Sequence, residues 1–285
     1  MALGSRIPRG DVQAKLHFYK PPADGSKPFN YVNTPPEGEP QRNYSDEAHE
    51  VTIHDIRGHE SDFNLDHDAF QIIQDVPPSA EKDFVDDTSI KTNYYPEVER
   101  LLLDHIPGSN KVVIFDHTIR RASDPAAPRT PVQRVHIDQS AKSTAMRVRR
   151  HLTSDEAERL LEGRYRIVNV WRPLNKGPVE SFPLAVASSS TLDDADAVPI
   201  EHRYNDGYTG ETLAIRYNPS QKWYYLSGMT GNERLLLECF DNEALKKGSG
   251  VLGGRVAHTA FDDPRTHPDA EGRESIEVRA LVFGP

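Results

Sequence analysis

A mainly β fold with helical decoration is predicted by three observations. From Lys111 onward, short apolar runs at 111–119, 132–138, 165–174, 183–187, 212–217, 223–227, 235–240, 254–260 and 276–283 are separated by turn-rich loops. Many short strands at this spacing indicate a sandwich or barrel. The apolar fraction is low, 36%, and 22 prolines in 285 residues call for long ordered loops around a compact centre. Helical signatures are confined to two stretches.

Residues 12–50 are polar and proline-rich, with Lys20-Pro21-Pro22 and Thr34-Pro35-Pro36, and read as an extended arm or a partly mobile tail. Val51-Thr52-Ile53-His54-Asp55-Ile56 alternates as a strand does, with Arg57-Gly58 as its turn. Tyr95 to Leu103 reads as a helix, because Pro96 suits the first helical position and acids fill the first turn. Ile106-Pro107-Gly108 ends it. The second helix, Ala157 to Leu161, follows Thr153-Ser154-Asp155-Glu156, which has the form of a capping box, and closes at Gly163. No internal repeat is evident. These elements predict a double-stranded β-helix, or jelly-roll barrel, of a size that holds one small ligand. The expectation is a single domain over 1–285, with an arm and helical subdomain in 1–110 and the barrel in 111–285.

Net charge is −10, and the one basic cluster, Arg147-Val148-Arg149-Arg150, is short enough to be a solvated face. Nothing resembles a nucleic-acid footprint. Cys239 is the sole cysteine, so neither an intrachain disulfide nor a cysteine-based zinc site is available. In Leu235-Leu236-Leu237-Glu238-Cys239-Phe240 it reads as a small buried hydrophobe. Met1 to Asp11 has no apolar leader, and no run is long enough to span a membrane. A soluble, cytoplasmic protein is expected, with oligomerisation through the N-terminal arm an open option.

The chemistry-bearing residues stand at strand-like positions. In Arg134-Val135-His136-Ile137-Asp138, side chains two apart share a face, so His136 and Asp138 point the same way. A second histidine, His258, follows in Gly254-Arg255-Val256-Ala257-His258. Two histidines and one carboxylate that leave metal positions open are the ligand set of non-haem Fe(II) oxygenases. His-x-Asp alone is weak, and His267-Pro268-Asp269 is a second match. Its flanking prolines disfavour a core strand, so that copy is expected in a loop. Fifteen residues beyond His258 comes Arg273-Glu274-Ser275, at the head of the last apolar strand.

With these motifs the chain resembles the Fe(II)/2-oxoglutarate dioxygenases, in which His-x-Asp…His holds iron and Arg-x-Ser on the last core strand holds the cosubstrate's distal carboxylate. Val112 to Thr118, Ile167 to Leu174, Trp223-Tyr224-Tyr225, Cys239-Phe240-Asp241 and Arg273 to Arg279 are similar to the branch of fungal gibberellin-desaturase-like proteins and the cephamycin 7α-methoxylation component. The resemblance runs from about Leu16 to the C-terminus. It implies His136, Asp138 and His258 as catalytic metal ligands, with Fe(II), 2-oxoglutarate and O2 as cofactors and ascorbate as the reductant in vitro. The reaction implied is oxidation of a small secondary metabolite, by hydroxylation, desaturation or related C–H chemistry.

The keto acid's far carboxylate needs a fixed bidentate cation, which an arginine fork supplies. Arg273, Ser275 and Arg279 share one strand face, but six residues put the two arginines roughly 20 Å apart, so one carboxylate cannot take both. Arg273 with Ser275 is favoured; Arg279 is the other candidate, or a structural ion-pair partner. Arg172, at the end of Asn169-Val170-Trp171-Arg172-Pro173, is a third cosubstrate candidate, or the residue that binds an acidic substrate. Asp116 and His117 are on opposite faces, so one alone can line a pocket. Tyr217, Trp223, Tyr224 and Tyr225 read as core and pocket wall, and the Gly-flanked turn at Met229 as a loop that covers the site. Two other readings stay open: a metal-dependent hydrolase or lyase on the same ligands, and a non-enzymatic jelly-roll binding module.

Overall fold

The computed structural model describes residues 7–122, 129–205 and 207–284. Two β-sheets form the body. The smaller runs, edge to edge, β4 (Phe70–Ile73), β12 (Arg234–Asp241), β7 (Tyr165–Pro173), β14 (Glu274–Phe283) and β5 (Lys111–Arg121). The larger runs β1 (Val12–Lys20), β3 (Ser45–Asp55), β11 (Trp223–Tyr225), β8 (Leu184–Ala187), β13 (Ala257–Ala260), β6 (His136–Ile137), β10 (Thr209–Ile215), β9 (Ala197–Arg203) and β2 (Phe29–Tyr31). From β5 to β8, and again from β11 to β14, consecutive strands alternate between the sheets. That alternation makes the jelly roll expected from the sequence.

Alternation along β14 sorts its side chains. Ile276, Val278, Ala280 and Val282 pack outward with Val98, Leu101 and Leu102 of the helix Tyr95–His105. Arg273, Ser275, Glu277 and Arg279 fall on the inner face, and β5 opposes them in antiparallel register. The same parity on β7 turns Val168 and Val170 outward and Asn169 and Trp171 inward. The polar interior row therefore arises from an ordinary strand period applied to an unusual sequence.

The N-terminal expectation needs correction. Residues 12–50 are not an arm or a tail: β1 pairs with β3 along all of Val12–Lys20, and β3 in turn pairs in parallel with β11. Val12, Ala14, Leu16 and Phe18 are buried, a period-two stripe, and the prolines that suggested an arm fall in the connection between the strands. The run 132–138 is also shorter than expected. Val135 donates to the His17 carbonyl, Arg134 bridges to His17, and the ladder with β10 and β13 begins at His136.

The helix Tyr95–His105 stands where expected, preceded by a π-helical turn at Ile90–Tyr94. The helix Ser154–Leu161 also forms, but Thr153 makes no side-chain cap bond. A capping box forms instead between Ser140 and Ser143, at the start of the unanticipated helix Ala141–His151. The basic cluster rides on that helix: Arg149 pairs with Glu158, Arg147 lies over Phe115, and Val148 is buried. Cys239 is fully buried, and burial pushes its thiol well up, as a small hydrophobe requires.

Candidate metal centre

His136 and His258 are opposite each other in the β6–β13 pairing, with ring centres 4.4 Å apart. Asp138, just past the end of β6, brings Oδ1 to 3.2 Å from Nε2 of His136 and 3.9 Å from Nε2 of His258. The three ligand atoms lie within 4.8 Å of one another. A two-residue strand does this because the next pleat returns Asp138 to the face of His136.

The surroundings fix which atoms are offered. Nδ1 of His136 lies 2.7 Å from the Arg134 carbonyl and Nδ1 of His258 lies 3.3 Å from the Val256 carbonyl. A carbonyl can only accept, so each Nδ1 carries the proton and each Nε2 keeps its lone pair. Burial, then the neighbouring His136, pushes His258 down to about 3, so it is a neutral base at neutral pH. On the other side, Oδ2 of Asp138 accepts from Nδ2 of Asn169 at 2.8 Å and from Nε of Arg279 at 3.1 Å. Burial alone would raise this carboxyl, but the Arg279 guanidinium holds it well below its ordinary value. Two neutral imidazole nitrogens and one ionised carboxylate oxygen, turned toward one point, suit a ferrous ion.

The candidate arginines separate clearly. Arg279 is not available to a cosubstrate. Its guanidinium meets Asp138, Asp116 at 3.1 Å and Glu277 at 2.6 Å, and donates to Thr118 Oγ1 at 3.0 Å. Arg273 is 1% exposed and has no such company. Nη1 donates to the Phe182 carbonyl at 2.6 Å, the guanidinium lies 5.5 Å from the Trp171 ring centre, and Nε has no partner. Burial, then Arg120, pushes Arg273 down to about 9. Ser275 is buried on the same face. An orphaned guanidinium nitrogen beside a serine fits a carboxylate, so this pair suits the keto acid.

Arg172 corrects a further expectation. It pairs in register with outward Ile276, and its guanidinium lies over the rings of Phe84 at 4.9 Å and Tyr94 at 5.5 Å. It is on the far side of the sheet from the histidines because it is one residue, hence one face, from Trp171. The Met229 turn is core, not cover: Met229 is buried with Trp171, Leu226 and Leu235. His117 faces outward, with Nδ1 2.9 Å from the Tyr95 hydroxyl, while Asp116 reaches Arg279. Trp223 and Tyr225 are buried, and Tyr217 stacks on His49. The second His-x-Asp lies outside any strand, with His267 45% and Asp269 79% exposed.

Sequence reasoning missed Asn169 and His202. Asn169 was visible as the one polar residue inside Ile167–Trp171 at inward parity. His202, on β9, lies 3.0 Å from Thr212 Oγ1, and burial pushes it down to about 4 although the Asp138 carboxylate acts the other way. Its strand contains Pro199 and gave no readable signal.

Comparison with known proteins agrees with this geometry. A family model described as oxidoreductase/YMDC permease-like domain matches residues 16–283. Among the described residues no helix is long and apolar enough to cross a membrane. The hydroxylase/desaturase poxK of Penicillium oxalicum is 40% identical over 97% of this chain and 92% of its own length. The Fe(II)/2-oxoglutarate-dependent dioxygenase nvfI of Aspergillus novofumigatus is 32% identical over 95% of this chain and 96% of its own. A solved structure of the iron and alpha-ketoglutarate-dependent endoperoxidase NvfI superposes with a TM-score of 0.86, 29% identity, and coverage of 97% of this chain and 99% of that one. The chain belongs to the Fe(II)/2-oxoglutarate-dependent dioxygenases, oxidoreductases that work with ferrous iron, 2-oxoglutarate and O2.

Proposed function

We propose that His136, Asp138 and His258 hold the ferrous ion, that Arg273 with Ser275 binds the distal carboxylate of 2-oxoglutarate, and that the substrate is a small secondary metabolite. The observation that carries this reading is the split use of Asp138. Asn169 and Arg279 occupy Oδ2, leaving Oδ1 toward both Nε2 atoms. Ferrous iron with the keto acid and O2 supplies an oxidant able to take hydrogen from a C–H bond, the keto acid leaving as succinate and CO2. The protein's part is to aim that chemistry and keep it dry.

Within this reading Arg279 is a positioning residue that acts through Asp138. The wall beside His136 offers the substrate side: Ala214 is directly opposite His136 in the ladder, and Tyr19, Tyr44 and Ile200 pack with it. Such a wall suits a largely apolar or aromatic molecule, and His202 with Thr212 adds a polar point on it. The expectation of an acidic substrate rested on Arg172 and loses that support. A relative 46% identical over 146 residues is named for aspirochlorine biosynthesis, which favours a role in metabolite tailoring.

The test is iron- and 2-oxoglutarate-dependent succinate release by the purified protein with ascorbate, alongside anaerobic binding of both cosubstrates. His258→Ala should lose iron binding and succinate release together, and His267→Ala should lose neither. Wild-type protein that fails to bind 2-oxoglutarate in the presence of ferrous iron would overturn the reading.

A further inference from the structure

A second guanidinium stands beside the keto-acid arginine. On β5, His117 and Ile119 face the outer helix side, so Asp116, Thr118 and Arg120 share the inner face. The register pairs Arg279 with Asp116, Glu277 with Thr118 and Ser275 with Arg120. Directly opposed side chains have Cβ atoms about 5 Å apart and diagonal ones about 7–8 Å. Arg120 is therefore next to Ser275 and within side-chain reach of Arg273.

Neither arginine forms an ion pair among the described residues. Each gives one Nη1 hydrogen bond to a main-chain carbonyl, Arg120 to Thr130 at 2.9 Å and Arg273 to Phe182 at 2.6 Å. Burial pushes Arg120 down as it does Arg273; the first charge acting on Arg120 is Glu277, which opposes the shift, and the first acting on Arg273 is Arg120. Arg120 is half-buried and Arg273 fully buried, and the one carboxylate that acts on both, Glu277, is bonded to Arg279; two like charges side by side are costly unless a further anion comes between them. The level along the strand identifies that anion. Arg120 is opposite Ser275, whereas the metal ligand Asp138 is held four residues further on, by Arg279. The cation pair is thus at the Arg273 end of the interior, away from the cluster of His136, Asp138 and His258.

We propose that Arg120 is the second guanidinium of the 2-oxoglutarate distal-carboxylate site, gripping it jointly with Arg273 and Ser275. The proposal rests on the reading of function above. One carboxylate has lone pairs enough for a bidentate Arg273, the Ser275 hydroxyl and one further N–H from Arg120.

The experiment is anaerobic equilibrium binding of two keto acids to the Mn(II)-loaded protein: 2-oxoglutarate, and 2-oxopentanoate, which has a methyl group in place of the distal carboxylate. Arg120→Met should weaken 2-oxoglutarate by about tenfold or more, as loss of a charge-assisted hydrogen bond does, and leave 2-oxopentanoate unchanged. Arg120→Lys should recover part of the loss. Unchanged 2-oxopentanoate binding also shows that the variant is folded. An Arg120→Met protein that binds 2-oxoglutarate like wild type, or that loses both keto acids equally, overturns the role of Arg120 alone. Wild-type protein that binds neither overturns the functional reading as well.

Discussion

Arg273 and Arg279 belong to one face of one polypeptide stretch, six residues apart, and their surroundings are opposite. Around Arg279 the fold gathers three carboxylates, and the guanidinium is held firmly charged despite burial. Around Arg273 it gathers a carbonyl, an indole ring and a second arginine, and the Glu277 carboxylate that acts on it from nearby is bonded to Arg279 instead. An interior cation supplied with counter-charge is part of the scaffold. One left without an ion pair stands where a ligand's charge is expected. The pair teaches that charge balance, more than residue type or strand face, distinguishes the interior's framework from its binding groups.

The largest effect should come from removing the balanced arginine. Arg279→Met strands Asp138, Asp116 and Glu277 together, and breaking a buried pair in this way costs about 3–5 kcal/mol in urea unfolding of the metal-free protein. The pH dependence follows from Asp138, whose folded carboxyl is held below its ordinary value. A depressed carboxyl stabilises above its unfolded pKa, near 4, and loses that contribution as pH falls through the folded value. The deficit of Arg279→Met should therefore be full at pH 7 and shrink in acid. Wild-type stability in the variant would break the comparison.

Removing the unbalanced arginine should do the reverse. Arg273→Met takes away a desolvated cation with no carboxylate partner, so the metal-free protein should keep its stability to within about 1 kcal/mol, or gain slightly. The same variant should lose the rise in melting temperature that 2-oxoglutarate confers on the metal-loaded wild type. A large loss of stability with intact keto-acid binding would exchange the roles of the two arginines.

How much of this was legible in the chain follows from what a single strand can report. Parity along β14 and β6 is local, so the shared faces of Arg273, Ser275 and Arg279, and of His136 and Asp138, could be read directly. So could the unsuitability of His267-Pro268-Asp269, since prolines forbid a central ladder. Partner identity across the ladder is not local. Nothing near Arg279 in sequence announces Asp138, just past β6, or Asp116 on β5. Arg172 failed for the complementary reason. Its position at a strand end was read correctly, but its face was left open, and one residue of parity decided it. The arm misread over 12–50 came from composition: the prolines of a connection outweighed the Val12, Ala14, Leu16, Phe18 stripe that builds β1.

A smaller effect sharpens the rule, because it concerns an interior base with no carboxylate bonded to it. His202 is bonded to the Thr212 hydroxyl, and burial holds it down to about 4. A histidine whose folded pKa lies below its unfolded value of about 6.5 stays neutral in the native protein while the unfolded chain takes up a proton. Its contribution to stability is then complete above pH 6.5 and disappears as pH falls toward 4, a loss of about 2–3 kcal/mol at the acid end. His258 titrates in an overlapping range, so His202→Gln should flatten the acid limb of the metal-free stability profile without abolishing it. Glutamine can still bond to Thr212 but has no proton to gain. If wild type and His202→Gln show the same slope between pH 6.5 and 4, His202 is already charged inside the fold. A charged imidazole there would need a counter-ion, and the principle separating Arg273 from Arg279 would not hold for the rest of the interior.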